Sequence, residues 1–230
     1  MNGPDAAIPL NSLNALNALN ALNPAPLTVL RCGETALLVE VVDAKAVNDY
    51  RAALAGRPIS GVTDVVAAAR TLLVRFDPDV ISAEALKREL RLVNPKSMTR
   101  APGTLIEIEV VYDGEDLERV GELTGLGVAG VIDAHTSQVW TAAFCGFAPG
   151  FSYLQSEHPL LTLPRRETSR TAVPAGSVGL AGDFSAVYPR RSPGGWQLIG
   201  RTDAIMWSLD RESPALAPAG TRVRFIDAGR

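Results

Sequence analysis

Along residues 28–112 apolar positions recur with two different periods, and the switches between them predict the elements. Residues 36–42 form an apolar run that predicts a strand. Asp43 follows as an N-cap, with Val47, Tyr50 and Leu54 on one face of a helix that Gly56 and Pro58 stop. Residues 62–66 and 71–76 predict two more strands, and in the second Leu72, Val74 and Phe76 alternate with Thr71, Leu73 and Arg75. Ser82 caps a second helix, which carries Leu86, Leu90 and Val93 at i, i+4 and i+7 and ends at Asn94-Pro95. Along residues 105–111, Ile106, Ile108 and Val110 face one way and Glu107 and Glu109 the other. Two acids on the outer face of a half-buried strand read as solvated, not as a catalytic pair. The order strand, helix, strand, strand, helix, strand is that of a small ferredoxin-like split βαβ sandwich over residues 28–112, the first part of an α+β fold.

Residues 112–137 read as a helical connector, with one helix over 115–123 ending at Gly125 and another over 128–135. His135 closes the second helix and has no obvious partner near it in sequence. Beyond it the helical period vanishes. Glycine and proline recur every few residues from Phe144 to Thr202, which excludes long helices and leaves short strands joined by tight turns. The connector and these strands make a second domain over residues 113–230. The first 27 residues follow neither period, because a Leu-Asn-Ala repeat runs from Leu13 to Asn23 and ends at Pro24 and Pro26. This stretch predicts a disordered low-complexity tail and fits neither a signal peptide nor a membrane span.

Composition mainly excludes. A hydrophobic share of 47% with 20% charged residues is ordinary for a soluble, cytoplasmic globular protein, and a net charge of -3 gives no reason to expect nucleic acid. Cys32 and Cys145 lack any metal-ligand or CxxC spacing, so reduced thiols and no metal are expected. GxSxG is not completed, no Walker motif is present, and no biotin-carrier signature surrounds Lys45, Lys87 or Lys96, so no covalent cofactor is indicated. One window differs in charge. Between Pro164 and Thr202, Arg165, Arg166, Arg170, Arg190, Arg191 and Arg201 face only Glu167 and Asp183, an excess of four positive charges. Guanidinium groups beside Phe147, Phe151, Tyr153, Tyr188 and Trp196 suit planar recognition of a carboxylate or phosphate; they suit a solvated barrel rim equally well.

The blocks GFAPGFSYL, PRR, VPAGSV, YP, SPGGW and GRT, in this order and spacing, resemble the family of the 5-oxoprolinase B subunit, also called allophanate hydrolase subunit 1 and sporulation-kinase inhibitor. The resemblance covers residues 28–227 and is most specific from His135 to Thr202. It implies a cyclophilin-like β-barrel after the ferredoxin-like domain, and one component of an ATP-dependent 5-oxoprolinase that opens 5-oxo-L-proline to L-glutamate. It also implies two partners: a larger homologous protein (the 5-oxoprolinase C subunit, or allophanate hydrolase subunit 2) and a third component, the 5-oxoprolinase A subunit. ATP would be bound by the complex, at a site not placed on this chain. On that footing the catalytic residues are His135, Tyr188, Arg166 and Arg201, the arginines holding carboxylate or phosphoryl oxygens together with Arg165 and Arg170. Phe147, Pro149, Phe151, Pro174, Ser177, Trp196 and Thr202 complete the substrate pocket. Two other readings stay open: a carboxyltransferase-type subunit of a urea- or allophanate-metabolising complex, and a non-enzymatic inhibitor of a sensor histidine kinase. Arginines converging with His135 and Trp196 in one concavity favour the enzyme, whereas an apolar patch among dispersed arginines favours the binding protein.

Overall fold

The computed structural model describes residues 27–95, 103–156 and 160–229. Residues 1–26 of the predicted low-complexity tail lie outside them, and Leu27 packs against the first core. The first sheet is antiparallel, in the order β1-β2-β4-β3, from strands β1 (Thr28–Arg31), β2 (Ala36–Glu40), β3 (Val62–Ala67) and β4 (Thr71–Phe76). Helices α1 (Ala44–Gly56) and α2 (Ala83–Leu92) pack on it. Both predicted caps form: Asp43 accepts the Ala46 N–H at 2.7 Å and Ser82 Oγ the Ala85 N–H at 3.3 Å. The predicted faces also hold, with Val47, Tyr50 and Leu54 meeting Leu72, Val74 and Phe76 in one core. Each such side chain, once fully buried, contributes about 1.5–3 kcal/mol.

One strand goes elsewhere. Strand β5 (Leu105–Val110) was expected to complete this sheet, but it crosses into a second one and runs parallel to β13 (Arg222–Asp227). Its place at the edge beside β2 is taken by β1, where only Val29 is buried. Alternation in β5 marks a buried face correctly, since Ile108 and Val110 are sealed, but it does not say which sheet the face belongs to. The change from one sheet to the other therefore falls between Leu92 and Leu105, ahead of residue 112.

The second sheet adds β6 (Trp140–Cys145), β7 (Ser152–Ser156), β9 (Ser177–Ala181), β10 (Phe184–Val187) and β12 (Gln197–Arg201), in the order β12-β9-β10-β7-β6-β13-β5. Strands β8 (Arg170–Val173) and β11 (Ser192–Gly194) form a separate ribbon. Val111, just past β5, exchanges both backbone hydrogen bonds with Arg201 of β12 at 2.9 Å, so the two ends of the sheet meet in a nearly closed barrel. Helices α3 (Leu117–Thr124) and α4 (Gly127–Thr136) follow β5, and α4 sends Val131, Ala134 and His135 into the barrel core. Helix α3 starts later than residue 115, with Asp116 at its N-cap position in a non-helical conformation; the Asp116 carboxylate caps no helix N–H and accepts the Leu198 N–H at 2.7 Å instead.

Candidate functional site

Backbone hydrogen bonds draw most motif blocks together around Tyr188. The Gly176 N–H donates to the Tyr188 carbonyl at 2.8 Å, the Tyr188 N–H to Ser177 at 2.9 Å, and the Thr202 N–H to Gly176 at 2.9 Å. The turn from Pro174 to Ser177 thus clasps Tyr188 on one side and Thr202 on the other. Gly176 has φ +79°, and a Cβ there would strike the Thr202 carbonyl. The β8–β11 ribbon sets Arg170 opposite Gly194, whose Cα lies against the Tyr188 phenol with no room for a side chain. The Arg166 N–H donates to the Gly195 carbonyl at 2.8 Å. Phe151 stands edge-on to Tyr188 and Trp196, with centroids 5.3 and 5.5 Å apart.

These rings form a packed wall. Tyr188 and Trp196 are only 1% and 4% exposed. Burial pushes the Tyr188 hydroxyl up, against the opposing pull of the Trp196 N–H and the charges of Arg165 and Arg170, so it remains a protonated donor at neutral pH. Phe147 behaves differently. It is 57% exposed and, with φ 68°, is the one non-glycine residue at positive φ among those described. Holding a bulky side chain there costs on the order of 1–3 kcal/mol. Its ring leans on Phe151 at 5.1 Å, and Pro149 is exposed on the same loop. Gly150, at φ +82°, closes that loop against Trp207, where an added Cβ would lie 2.8 Å from Cβ of the tryptophan.

The positive window is largely neutralised. Asp113, Glu115 and Asp116, outside the window in sequence, meet three of its arginines in space. Asp116 is almost fully buried and pairs with Arg166; Arg170 Nη2 reaches its carboxylate oxygens at 2.8 and 2.9 Å and Glu115 at 3.0 Å. Burial alone would push the Asp116 carboxyl up, but the hydrogen bonds from Arg170 and the Leu198 N–H, with the charges of Arg170 and Arg166, hold it below the usual carboxylate range. Arg201 Nε pairs with Asp113 at 3.0 Å. Arg165, Arg190 and Arg191 are exposed and make no ion pair among the described residues.

His135 lies apart from all of these. It is fully buried in the barrel core, with Nδ1 at 2.7 Å from the Tyr112 hydroxyl and Nε2 at 2.8 Å from Ser185 Oγ. Its ring stacks on Phe225 at 4.2 Å, and burial pushes its pKa down to about 3, so it is neutral. Both nitrogens are already engaged. Arg201 and Thr202 line a groove of about 480 Å³ at the barrel seam, together with Asp203, Glu107 and Glu109. A second cavity, of about 750 Å³ between α1 and β3, contains none of the candidate residues.

The structure therefore brings Phe147, Phe151, Tyr188, Trp196 and the arginines of 165–170 together, puts Arg201 at the seam, and leaves His135 in the core. Sequence reasoning missed Asp113, Glu115 and Asp116. Their signal was the acidic run directly after β5, complementary to the basic window yet fifty residues or more from Arg166 and Arg170. Among the described residues no group of three or more His, Cys, Asp or Glu side chains is placed to hold a metal ion, and no helix is long and apolar enough to cross a membrane.

Three comparisons bear on this arrangement. Residues 27–217 match the family model described as carboxyltransferase domain, subdomain C and D. The chain is 36% identical over 185 residues to the 5-oxoprolinase B subunit of Bacillus subtilis (strain 168), covering 74% of this chain and 77% of that protein. It is 39% identical over 159 residues to the 5-oxoprolinase B subunit of Escherichia coli O157:H7, covering 68% and 72%. The crystal structure of TTHA0988 superposes with a TM-score of 0.70 at 33% identity over 85% of this chain, which spans only 40% of that longer protein. Matched over most of its length and sharing more than a third of its aligned residues with those bacterial subunits, the chain belongs to the carboxyltransferase C and D subdomain family that includes the 5-oxoprolinase B subunit.

Proposed function

We propose that this chain is one subunit of an ATP-dependent 5-oxoprolinase, acting in the cytoplasm with a larger homologous subunit and a third component to open 5-oxo-L-proline to L-glutamate. The observation that carries the reading is the identity of 36% and 39% to proteins of that name across most of the chain. Opening the ring breaks the lactam C–N bond, adds water oxygen to the carbonyl carbon and leaves a protonated amine. ATP activation belongs to the complex. The residues here bind and position. Arg166 and Arg170 stiffen the frame through Asp116, while Arg165, Arg190 and Arg191 are the cations left to meet anionic oxygens. Exposed Phe147 covers the apolar ring edge, and the Tyr188 hydroxyl is a protonated donor within the wall behind it.

In the reconstituted complex, Phe147→Ala and a combined Arg165→Ala, Arg190→Ala, Arg191→Ala variant are each expected to lower kcat/KM by about tenfold or more with thermal stability unchanged. Wild-type turnover from both would contradict this assignment. A second reading, carboxyl transfer to an amide-like substrate, draws on the family's description as a carboxyltransferase domain. It requires a biotinylated partner, so inhibition of the reconstituted activity by avidin would favour it.

A further inference from the structure

Strand β5 is the last strand of its sheet and meets β12 only through the bridge at Val111. Its other edge is taken by β13, where the Thr104 carbonyl accepts from the Arg222 N–H and the Val110 carbonyl from the Ala228 N–H, both at 2.9 Å. In a parallel ladder alternate residues turn both backbone groups toward the same neighbour, so 104, 106, 108 and 110 face β13. Leu105, Glu107 and Glu109 turn theirs the opposite way, where no strand lies among the described residues. Past the bridge, residues 202–204 line the far side of the seam, and the gap beside β5 is the groove of about 480 Å³.

We propose that this open edge is a strand-addition site for an extended, basic segment of a different polypeptide. An unpaired strand edge bordering a groove is a template for an incoming strand, whose main chain supplies the hydrogen bonds and whose alternate side chains supply selectivity. Here the side chains select the occupant. Glu107 and Glu109 are exposed on β5, and Asp203 lines the same groove. Glu107 has one long contact with Arg224 at 3.8 Å, and the groove's single arginine, Arg201, is held by Asp113. The groove thus carries excess negative charge. A second copy of this chain is a poor occupant, because antiparallel pairing of β5 with itself sets glutamates against glutamates. Lys or Arg at alternate positions of a foreign strand removes that conflict, and Ile226, which pairs with Glu109 on the same face of the sheet, and Ala228 give the stems of those long side chains an apolar floor. The site is separate from the Tyr188 cluster and does not rest on the oxoprolinase reading.

Amide exchange on the full chain tests this by residue. In the free protein the Glu107 and Glu109 amides should exchange faster than those of Ile108 and Val110. A short peptide alternating valine and lysine should slow both glutamate amides by about tenfold or more, as added ladder hydrogen bonds require. Glu107→Lys with Glu109→Lys should weaken that peptide by about tenfold, and Glu107→Gln with Glu109→Gln by less. The proposal is overturned if the peptide slows neither amide, if a valine and glutamate peptide slows them equally, or if the chain instead dimerises through β5 in sedimentation.

Discussion

Asp116→Ala is expected to lower the stability of this protein by about 3–5 kcal/mol, the range for removing one partner of a buried ion pair. Two guanidinium groups depend on that carboxylate. Arg170 is 15% exposed and Arg166 32% exposed, and without Asp116 both stay partly desolvated with less counter-charge. The Leu198 N–H also loses its acceptor, which loosens β12 against α3. Asp116→Asn keeps an acceptor and the shape but drops the charge, so its loss should be smaller. Urea unfolding of the three proteins gives the ranking, and an Asp116→Ala midpoint equal to wild type would refute the framework role. The sign with pH follows from the depressed carboxyl. Its contribution is fully present above the ordinary aspartate pKa and is lost as pH falls through the lower folded value.

The second large effect comes from His135. Its folded pKa of about 3 lies far below the ordinary 6.5, so between these values the unfolded chain binds a proton that the folded chain refuses. Stability is therefore unaffected by this group above pH 6.5 and falls as pH drops through the window. By about pH 4 the loss is on the order of 3 kcal/mol. Carboxylates such as Asp116 titrate in the same region, so the informative quantity is the difference between wild type and His135→Gln. The variant should be less stable at about pH 8, where the histidine is neutral in both states, having lost the fit between Tyr112, Ser185 and Phe225. It should also lose less on acidification. Equal slopes of unfolding free energy against pH would show that His135 is not a buried neutral group.

These two residues also show how far the chain could be read from its sequence. Local rules served where the cause is local: the Asp43 and Ser82 caps, the Leu72, Val74 and Phe76 face, and the Gly125 stop, which sits in the left-handed region at φ 70°. Strand β9 resisted, because all its residues are buried and alternation disappears when both faces are covered. Strand β1 is too short and too exposed to announce itself. The motif blocks were legible, and their glycines and prolines do make the turns that clasp Tyr188. Its electrostatics were not legible. A count of arginines in one window could not include acids delivered by the segment after β5, and a histidine at a helix end gives no sign of whether the helix points it into a core or a cleft.

The proposed role makes this chain an obligatory part of an ATP-coupled lactam-opening complex. The sharpest test is to measure glutamate and ADP formed from 5-oxo-L-proline and ATP by the chain combined with its larger partner and the third component, omitting each in turn. Coupled release of both products is expected in the full mixture, with loss of both when this chain is left out. Undiminished glutamate formation without it, or none from an intact three-part mixture, would contradict that role.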